Sequence, residues 1–433
     1  MAEKMLLDYQ RFWQEILIIR EQRSKRMHDI LRKLLASALL LTLAGSTLAA
    51  LPDSVKPAAK PLLMTHYMPW FSAPPTSPQW GWHWTMNRYR PDTLVNDQPE
   101  IASHYTPLIG PYDSGDLDAL RCHILLMKLA GIDGVIVDWY GNDNFLDYGV
   151  NNTNTERLLT VIEAAKMHFA VCYEDQTVPK EIAGGVFPET DAVLHGQRLM
   201  IWMQTHFFSS PAYLRIQGRP VLLTFGNPYY NNSQWTQVFS VLPQKPFYFP
   251  ESNRHGIEAS VGSFDWPMPS GGTGGAFQAQ DKFYADASTG PQFIAAAFPR
   301  FHDIYAQAGI GNSYGNIGDQ DGKTYTDTLT RALQSHAPVV QLVTWNDWGE
   351  GTQIEPSVQH GYRDLAATQR LRRQYIESGF APTPADLSLP IEWYKLTKKY
   401  QSSLAVHANL AAFFPLVVSG QLTKARALLA KYQ

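Results

Sequence analysis

The residues with the plainest chemical capability are Asp347 and Glu350, which share the stretch Thr344-Trp345-Asn346-Asp347-Trp348-Gly349-Glu350-Gly351-Thr352-Gln353-Ile354-Glu355-Pro356. Cleavage of a glycosidic bond needs one protonated carboxyl to donate to the leaving oxygen and one ionised carboxylate to act as base or nucleophile. Trp345 and Trp348 supply apolar surface that raises the pKa of a neighbouring acid, or a face on which a sugar stacks. Glu350 and Asp347 are therefore the candidate catalytic pair. The plainer alternative is a loop whose acids cap a helix.

Further acids and aromatics extend the candidate site. Asp138 is followed by Trp139 and Tyr140, Glu174 by Asp175, and Asp265 by Trp266. Such carboxylates bind sugar hydroxyls bidentately, or sit as satisfied rim groups. His66, Tyr67, Trp70, Trp80, Trp82, His83 and Trp84 offer an aromatic surface for pyranose rings. The alternation of Trp80, Trp82 and Trp84 equally fits a strand-like flap that buries one face. The candidate substrate contacts are thus Tyr67, Trp70, Trp84, Asp138, Trp139, Glu174, Asp265, Trp266, Trp345, Asn346, Trp348, Gln353 and Glu355.

Other chemistries lack their signatures. His66, His83 and His104 have no metal-ligand spacing, so no metal is expected. No Gly-Lys-Ser or Gly-x-Gly-x-x-Gly sequence opens a helix, so no nucleotide cofactor is expected. Beyond residue 50 the chain holds 28 Lys and Arg against 34 Asp and Glu, which leaves no basic surface for nucleic acid. Cys122 and Cys172 form no Cys-x-x-Cys motif and are read as two buried thiols, with one disulfide as the alternative.

Eight short apolar runs deliver these residues. They occupy 62–70, 134–140, 169–175, 220–226, 246–251, 259–266, 293–301 and 339–345. Amphipathic stretches at 116–130, 155–167, 192–207 and 326–335 lie between them, with apolar residues at spacings of three and four. Repeated β-α units in this number predict an α/β fold, a (β/α)8 barrel with long βα loops over 51–380. Loops after the strands form the active face of such a barrel, and the long segment 71–115 is expected to wall a cleft there. The Gly-rich stretch 270–275 reads as a mobile rim. Residues 362–376 read as the last barrel helix, and 381–433 as a C-terminal helical extension packed on its side.

Residues 1–50 are read apart from the fold. From Met27 the order is basic (Arg32, Lys33), apolar (34–43), then small (Ala44 to Ala50), the order of a secretory signal. The apolar run is short for a membrane span. Residues 1–26 are read as an upstream extension of a signal starting at Met27, and the chain is expected to be exported to the periplasm or the extracellular space.

The stretch TWNDWGEGTQIEPS, with GIDGVIVDWYG, VCYEDQ and HYMPWF, resembles glycoside hydrolase families 71 and 99 from about residue 61 to 380. Family 99 members read WNEWHEGTQIEP and act within α-mannosidic chains. Family 71 members read close to TWNDYGES and cleave α-1,3-glucan. Here Asp347 and Gly349 agree with the second pattern, and Gly351 to Pro356 with the first. The resemblance places Asp347 on the family 99 base and Glu350 on its acid. That base deprotonates the substrate's own 2-hydroxyl, with net retention. Asp347 is one methylene shorter, drawing the carboxylate back by roughly an ångström and a half. This leaves room for a water and the inverting route implied by family 71. The expected substrate is an α-linked polysaccharide, α-mannan or α-1,3-glucan. The alternatives are a glycosyltransferase-like enzyme on a related barrel and a non-catalytic carbohydrate-binding protein.

Overall fold

The computed structural model describes residues 60–226, 228–252, 259–287 and 292–433. The expected signal and upstream extension lie outside the described residues. Residues 59–433 form one compact unit.

All eight apolar runs contain a strand: β1 (Leu62–Tyr67), β2 (Gly134–Trp139), β3 (His168–Tyr173), β4 (Arg219–Thr224), β5 (Phe247–Pro250), β6 (Gly262–Phe264), β7 (Gln292–Ala297) and β8 (Val339–Leu342). They run parallel in a curled sheet whose ladders join β5-β4-β3-β2-β1-β8-β7-β6. Between β5 and β6 the contact is a bridge from Glu251 to Phe264 and a bond from Val261 N–H to the Tyr248 carbonyl at 2.9 Å. The segment joining these two strands is shorter than the dozen or more residues that a parallel crossover normally takes.

The helices are α1 (Leu117–Ala130), α2 (Tyr148–Ala165), α3 (Ala192–His206), α4 (Asn232–Phe239), α5 (Gly272–Ala287), α6 (Lys323–Gln334) and α7 (Arg363–Tyr375). Local chemistry sets the ends of α1: Asp116 accepts the N–H of Asp118, and Gly131 takes the left-handed conformation that ends the helix. Three expectations are corrected. The Gly-rich stretch 270–275 is no rim, because a turn of 3₁₀ helix over Pro269–Gly271 leads into α5 at Gly272. The three tryptophans form no strand-like flap: Trp82–Thr85 is a single helical turn, with Trp84 buried and Trp82 43% exposed. Helix α2 starts well before residue 155, because Asn151 and Asn154 are turned inward, where Asn154 Nδ2 donates to the Pro69 carbonyl at 2.9 Å.

Strand alternation divides the core in two. Met64, Ile136, Ala170, Val221, Phe247, Phe264, Ile294 and Val339 fill the inside of the curled sheet. Leu63, Val135, Val137, Phe169, Leu222, Ala295 and Val340 face the helices. Cys172 belongs to the inner set and Cys122 to the outer, and the two form no disulfide with each other.

The chain continues as α8 (Leu389–Lys399), α9 (Leu404–Leu410), α10 (Phe413–Val418) and α11 (Leu422–Leu429). They share the outer core, and Lys398 pairs with Asp116 at 2.7 Å beside α1. Trp393 stacks on Phe413 at 5.8 Å and donates its indole N–H to the Leu410 carbonyl at 2.9 Å. Trp393→Ala should lower the unfolding free energy by about 3–5 kcal/mol in a denaturant titration. A loss below about 1 kcal/mol would mean that the extension is not integral to the fold.

Candidate active site

Strand parity decides which side chains meet. Two residues past inward Met64 stands His66, two past Ile136 stands Asp138, two past Cys172 stands Glu174, and two past Phe264 stands Trp266. The lower layers are apolar, whereas this last layer at the carboxyl ends is polar or aromatic. It opens into a cavity of about 220 Å³ lined by His66, Trp70, Asp138, Tyr140, Glu174, Trp266, Asp347 and Glu350, among others. The insertion 71–115 contributes Phe71, Trp82, His83 and Met86 as one wall. A second hollow of about 550 Å³ shares Trp70, Trp82, His83, Tyr140, Glu174 and Lys180 with it. A third, of about 400 Å³, meets it at Trp82 and Tyr305.

Asp347 and Glu350 thus face a common space. The Asp347 N–H donates to Thr344 Oγ1 at 2.8 Å, and Asp347 Oδ1 accepts the Glu350 N–H at 3.0 Å. Asp347 thus closes a turn over 348–351, and no helix begins there for the acids to cap. From the opposite side, the N–H groups of His302 and Ile304 hold the carbonyls of Glu350 and Gly349 at 2.8 and 3.0 Å. Met86 covers Gly349 so closely that an added Cβ would lie 3.1 Å from its methyl, which suits glycine at this position.

Burial dominates the acid chemistry. It pushes Asp347 up to about 6, against the opposing pull of the Glu350 and Gly349 N–H groups. It drives Glu350 well above the usual carboxylate range, and the charges of Asp347, Asp303, Glu174 and Glu251 push the same way. Glu350 Oε2 is buried and bonds to no protein group among the described residues. Of the two, Glu350 is the more strongly raised and Asp347 the one more readily ionised. Asp138 is raised by burial, by the Glu174 charge and by a hydrogen bond to Glu174, so these two carboxyls share a proton. Gln176 Nε2 donates to Glu174 at 2.5 Å. Gln341 donates its amide to the Asp265 carbonyl at 3.2 Å, so its oxygen accepts from His66 Nδ1. Burial lowers His66 to about 4, and its Nε2 is left as an acceptor.

Of the expected substrate contacts, Trp70, Asp138, Glu174 and Trp266 line the cavity. The others do not. Tyr67, Trp139 and Asp265 follow inward residues by one position and face away from it. Trp139 stacks on Trp202 of α3 at 5.6 Å, and the charge of Asp265 acts on Tyr284 of α5. Trp84 donates its indole N–H to the Tyr112 carbonyl at 2.8 Å. Trp345 and Trp348 are fully buried in the outer core. Gln353 is buried with its amide unpartnered among the described residues, and it is not among the lining side chains.

Asn346 and Glu355 work behind the site. Asn346 exchanges two bonds with the Met68 backbone at 2.8 and 2.9 Å, tying the end of β8 to the end of β1. Its Nδ2 also donates to the Tyr112 hydroxyl at 3.0 Å, which donates to Glu355 at 2.8 Å. His123 joins Glu355 at 3.1 Å and Tyr67 at 3.0 Å. These buried bonds carry the loop on which Asp347 and Glu350 stand. Sequence reasoning missed Gln176, Lys180, Phe225 and Tyr305 in the lining. Gln176, Lys180 and Tyr305 stand in short helices whose path no local pattern reports, whereas Phe225, two past inward Leu223, follows from strand parity.

A curled parallel sheet whose carboxyl ends gather paired acids and aromatics around one trough is the architecture of a glycoside hydrolase. The model of glycosyl hydrolase family 71 matches residues 185–408, just over half of the chain, and the chain belongs to that family. It is 25% identical over 283 residues to a glycoprotein endo-alpha-1,2-mannosidase-like protein of Mus musculus, covering 60% of this chain and 59% of that protein. A protein of the same description from Homo sapiens is 23% identical over 282 residues, covering 60% and 58%. The chain thus spans a little under 60% of the length of these curated relatives. The family 99 endo-alpha-mannosidase of Bacteroides thetaiotaomicron shares the fold, with a TM-score of 0.58 and 19% identity over 74% of this chain and 98% of that one.

Tyr112→Phe should lower the unfolding free energy by about 1–3 kcal/mol in urea, because Glu355 and Asn346 each lose a buried partner. A change smaller than about 0.3 kcal/mol would show that the network does not hold the loop.

Proposed function

We propose that the chain is an exported, endo-acting hydrolase of an α-linked polysaccharide, α-mannan or α-1,3-glucan, working through a complete (β/α)8 barrel. Glu350 is the general acid and Asp347 the base. The observation that carries this reading is the contrast between two acids on one cavity. Glu350 is half-buried, with one carboxylate oxygen buried and bare, and is raised well above the carboxylate range, while burial raises Asp347 only to about 6 against the pull of two backbone N–H groups. A sugar oxygen placed against Glu350 would receive its proton as the glycosidic bond breaks. Asp347 would take the proton of the attacking hydroxyl, either a water or the substrate's own 2-hydroxyl.

Two hollows adjoining the cavity favour cleavage within a chain, since sugars on both sides of the scissile bond need room. Asp138, Glu174 and His66 present acceptors or donors to hydroxyls, and Trp70 and Trp266 present ring surface. The α-linkage rests on the mannosidases to which the chain is similar. Export rests on the order of residues in 27–50. Among the described residues no helix is long and apolar enough to cross a membrane.

Glu350→Gln should cut hydrolysis by about 10²- to 10⁴-fold while oligosaccharide binding, followed by calorimetry, survives. Turnover at the wild-type rate would remove Glu350 from the acid role. Screening α-mannan and α-1,3-glucan, with product anomers followed by NMR, identifies the polymer and separates retention from inversion. The pH profile offers a further check. Asp347 must be ionised, so kcat/KM should fall about tenfold per pH unit below about pH 6, and Glu350 must be protonated, so a second limb should fall on the alkaline side. An acid limb that stays flat down to pH 4 is incompatible with Asp347 as base.

A further inference from the structure

Outside the trough, three side chains from successive βα units converge. Asp143 lies in the loop between β2 and α2, Glu181 on the short helix Val178–Ala183 that follows β3, and His195 on α3. One ligand atom from each lies within 4.8 Å of the other two. His195 Nε2 meets Asp143 Oδ2 at 2.6 Å, and the Phe187 ring stacks on the imidazole at 4.0 Å and 17°, which fixes its plane.

Glu181 is the group that asks for a ligand. It is only 1% exposed, and neither carboxylate oxygen bonds to any protein group among the described residues. A carboxyl buried in this way is costly unless a charge or a donor meets it. The cationic possibility nearest to it, His195, is already engaged by Asp143. His195 Nδ1 also lacks a protein partner among the described residues.

We propose that Asp143, Glu181 and His195 bind one divalent transition-metal ion, with zinc the best match. One imidazole nitrogen and two carboxylates form a donor set suited to zinc or manganese, whereas calcium takes six to eight oxygens. Tetrahedral ligands about 2.1 Å from zinc stand roughly 3.4 Å apart. The short Asp143–His195 contact therefore opens by under about an ångström, and the Glu181 carboxylate, within 4.8 Å of both, closes by at most about an ångström and a half. The Asp143 side chain is 31% exposed, which leaves a path for the ion and room for a water as fourth ligand.

The consequence is mechanical. The ion joins the loop after β2 to the short helix after β3 and to α3, and the same short helix carries Lys180 into the cavity. The site braces the trough's wall and does not touch the reacting bond. No local spacing announces the site, because its three residues come from separate elements.

The test uses the full chain, stripped with chelator and then equilibrated with zinc, manganese or calcium separately. Bound metal is measured by mass spectrometry after gel filtration, and the unfolding temperature is followed with and without chelator. Wild type should retain one zinc per chain at micromolar free metal, with a higher Tm that chelator reverses. Glu181→Gln and Asp143→Asn should each weaken zinc binding by about tenfold or more, with unchanged circular dichroism in the absence of metal. Asp143 is partly exposed, so Asp143→Asn keeps the test intact if Glu181→Gln fails to fold. Equal zinc retention by wild type and Asp143→Asn, retention of none by wild type, or calcium bound as tightly as zinc would each overturn the proposal.

Discussion

Four carboxyl groups, from Asp138, Glu174, Asp347 and Glu350, line a cavity of about 220 Å³. In so small and poorly solvated a space they cannot all be ionised, and the rest of the site follows from how the protein distributes the remaining charge. Asp138 and Glu174 share a proton. Asp347 is favoured as an anion by two backbone N–H groups, and Glu350 is left to burial and to its neighbours' repulsion. The difference between the two acids is thus made by the turn that joins them, because the Glu350 N–H is itself one of the donors that hold Asp347.

Such a turn stays in place only if its anchor is rigid. Asn346 fastens it to β1 through the Met68 backbone, and Tyr112, Glu355 and His123 close a buried network behind it. Part of the aromatic surface that looked available for sugar is spent here. Trp84, Trp345 and Trp348 pack around this support, while Trp70, Trp82 and Trp266 face the trough. Aromatic residues serve both purposes because their apolar area stabilises a core as readily as it stacks on a ring.

Several elements show where local pattern was sufficient. The eight strand segments stand out because runs such as Gly134–Trp139 are apolar on both faces, as a sheet covered by helices requires. The opposite holds for α2, whose polar first turns hide inward-facing asparagines, and for α5, whose glycines read as a loop. Spacing that suggested alternation in Trp80, Trp82 and Trp84 belongs to a helical turn, since three residues are too few to separate a period of 2 from one of 3.6.

From sequence alone came the residue chemistry, meaning two acids in an aromatic setting, the repeated β-α units and the place of the acids after the last strand. Parity was decided by tertiary structure: Asp138 and Trp266 point into the trough while their neighbours Trp139 and Asp265 point away, since one step along a strand reverses a side chain's face. The raised pKa values and the convergence of Asp143, Glu181 and His195 also belong to the folded chain. Both depend on which distant segments exclude water from a given carboxyl, and no local spacing encodes that.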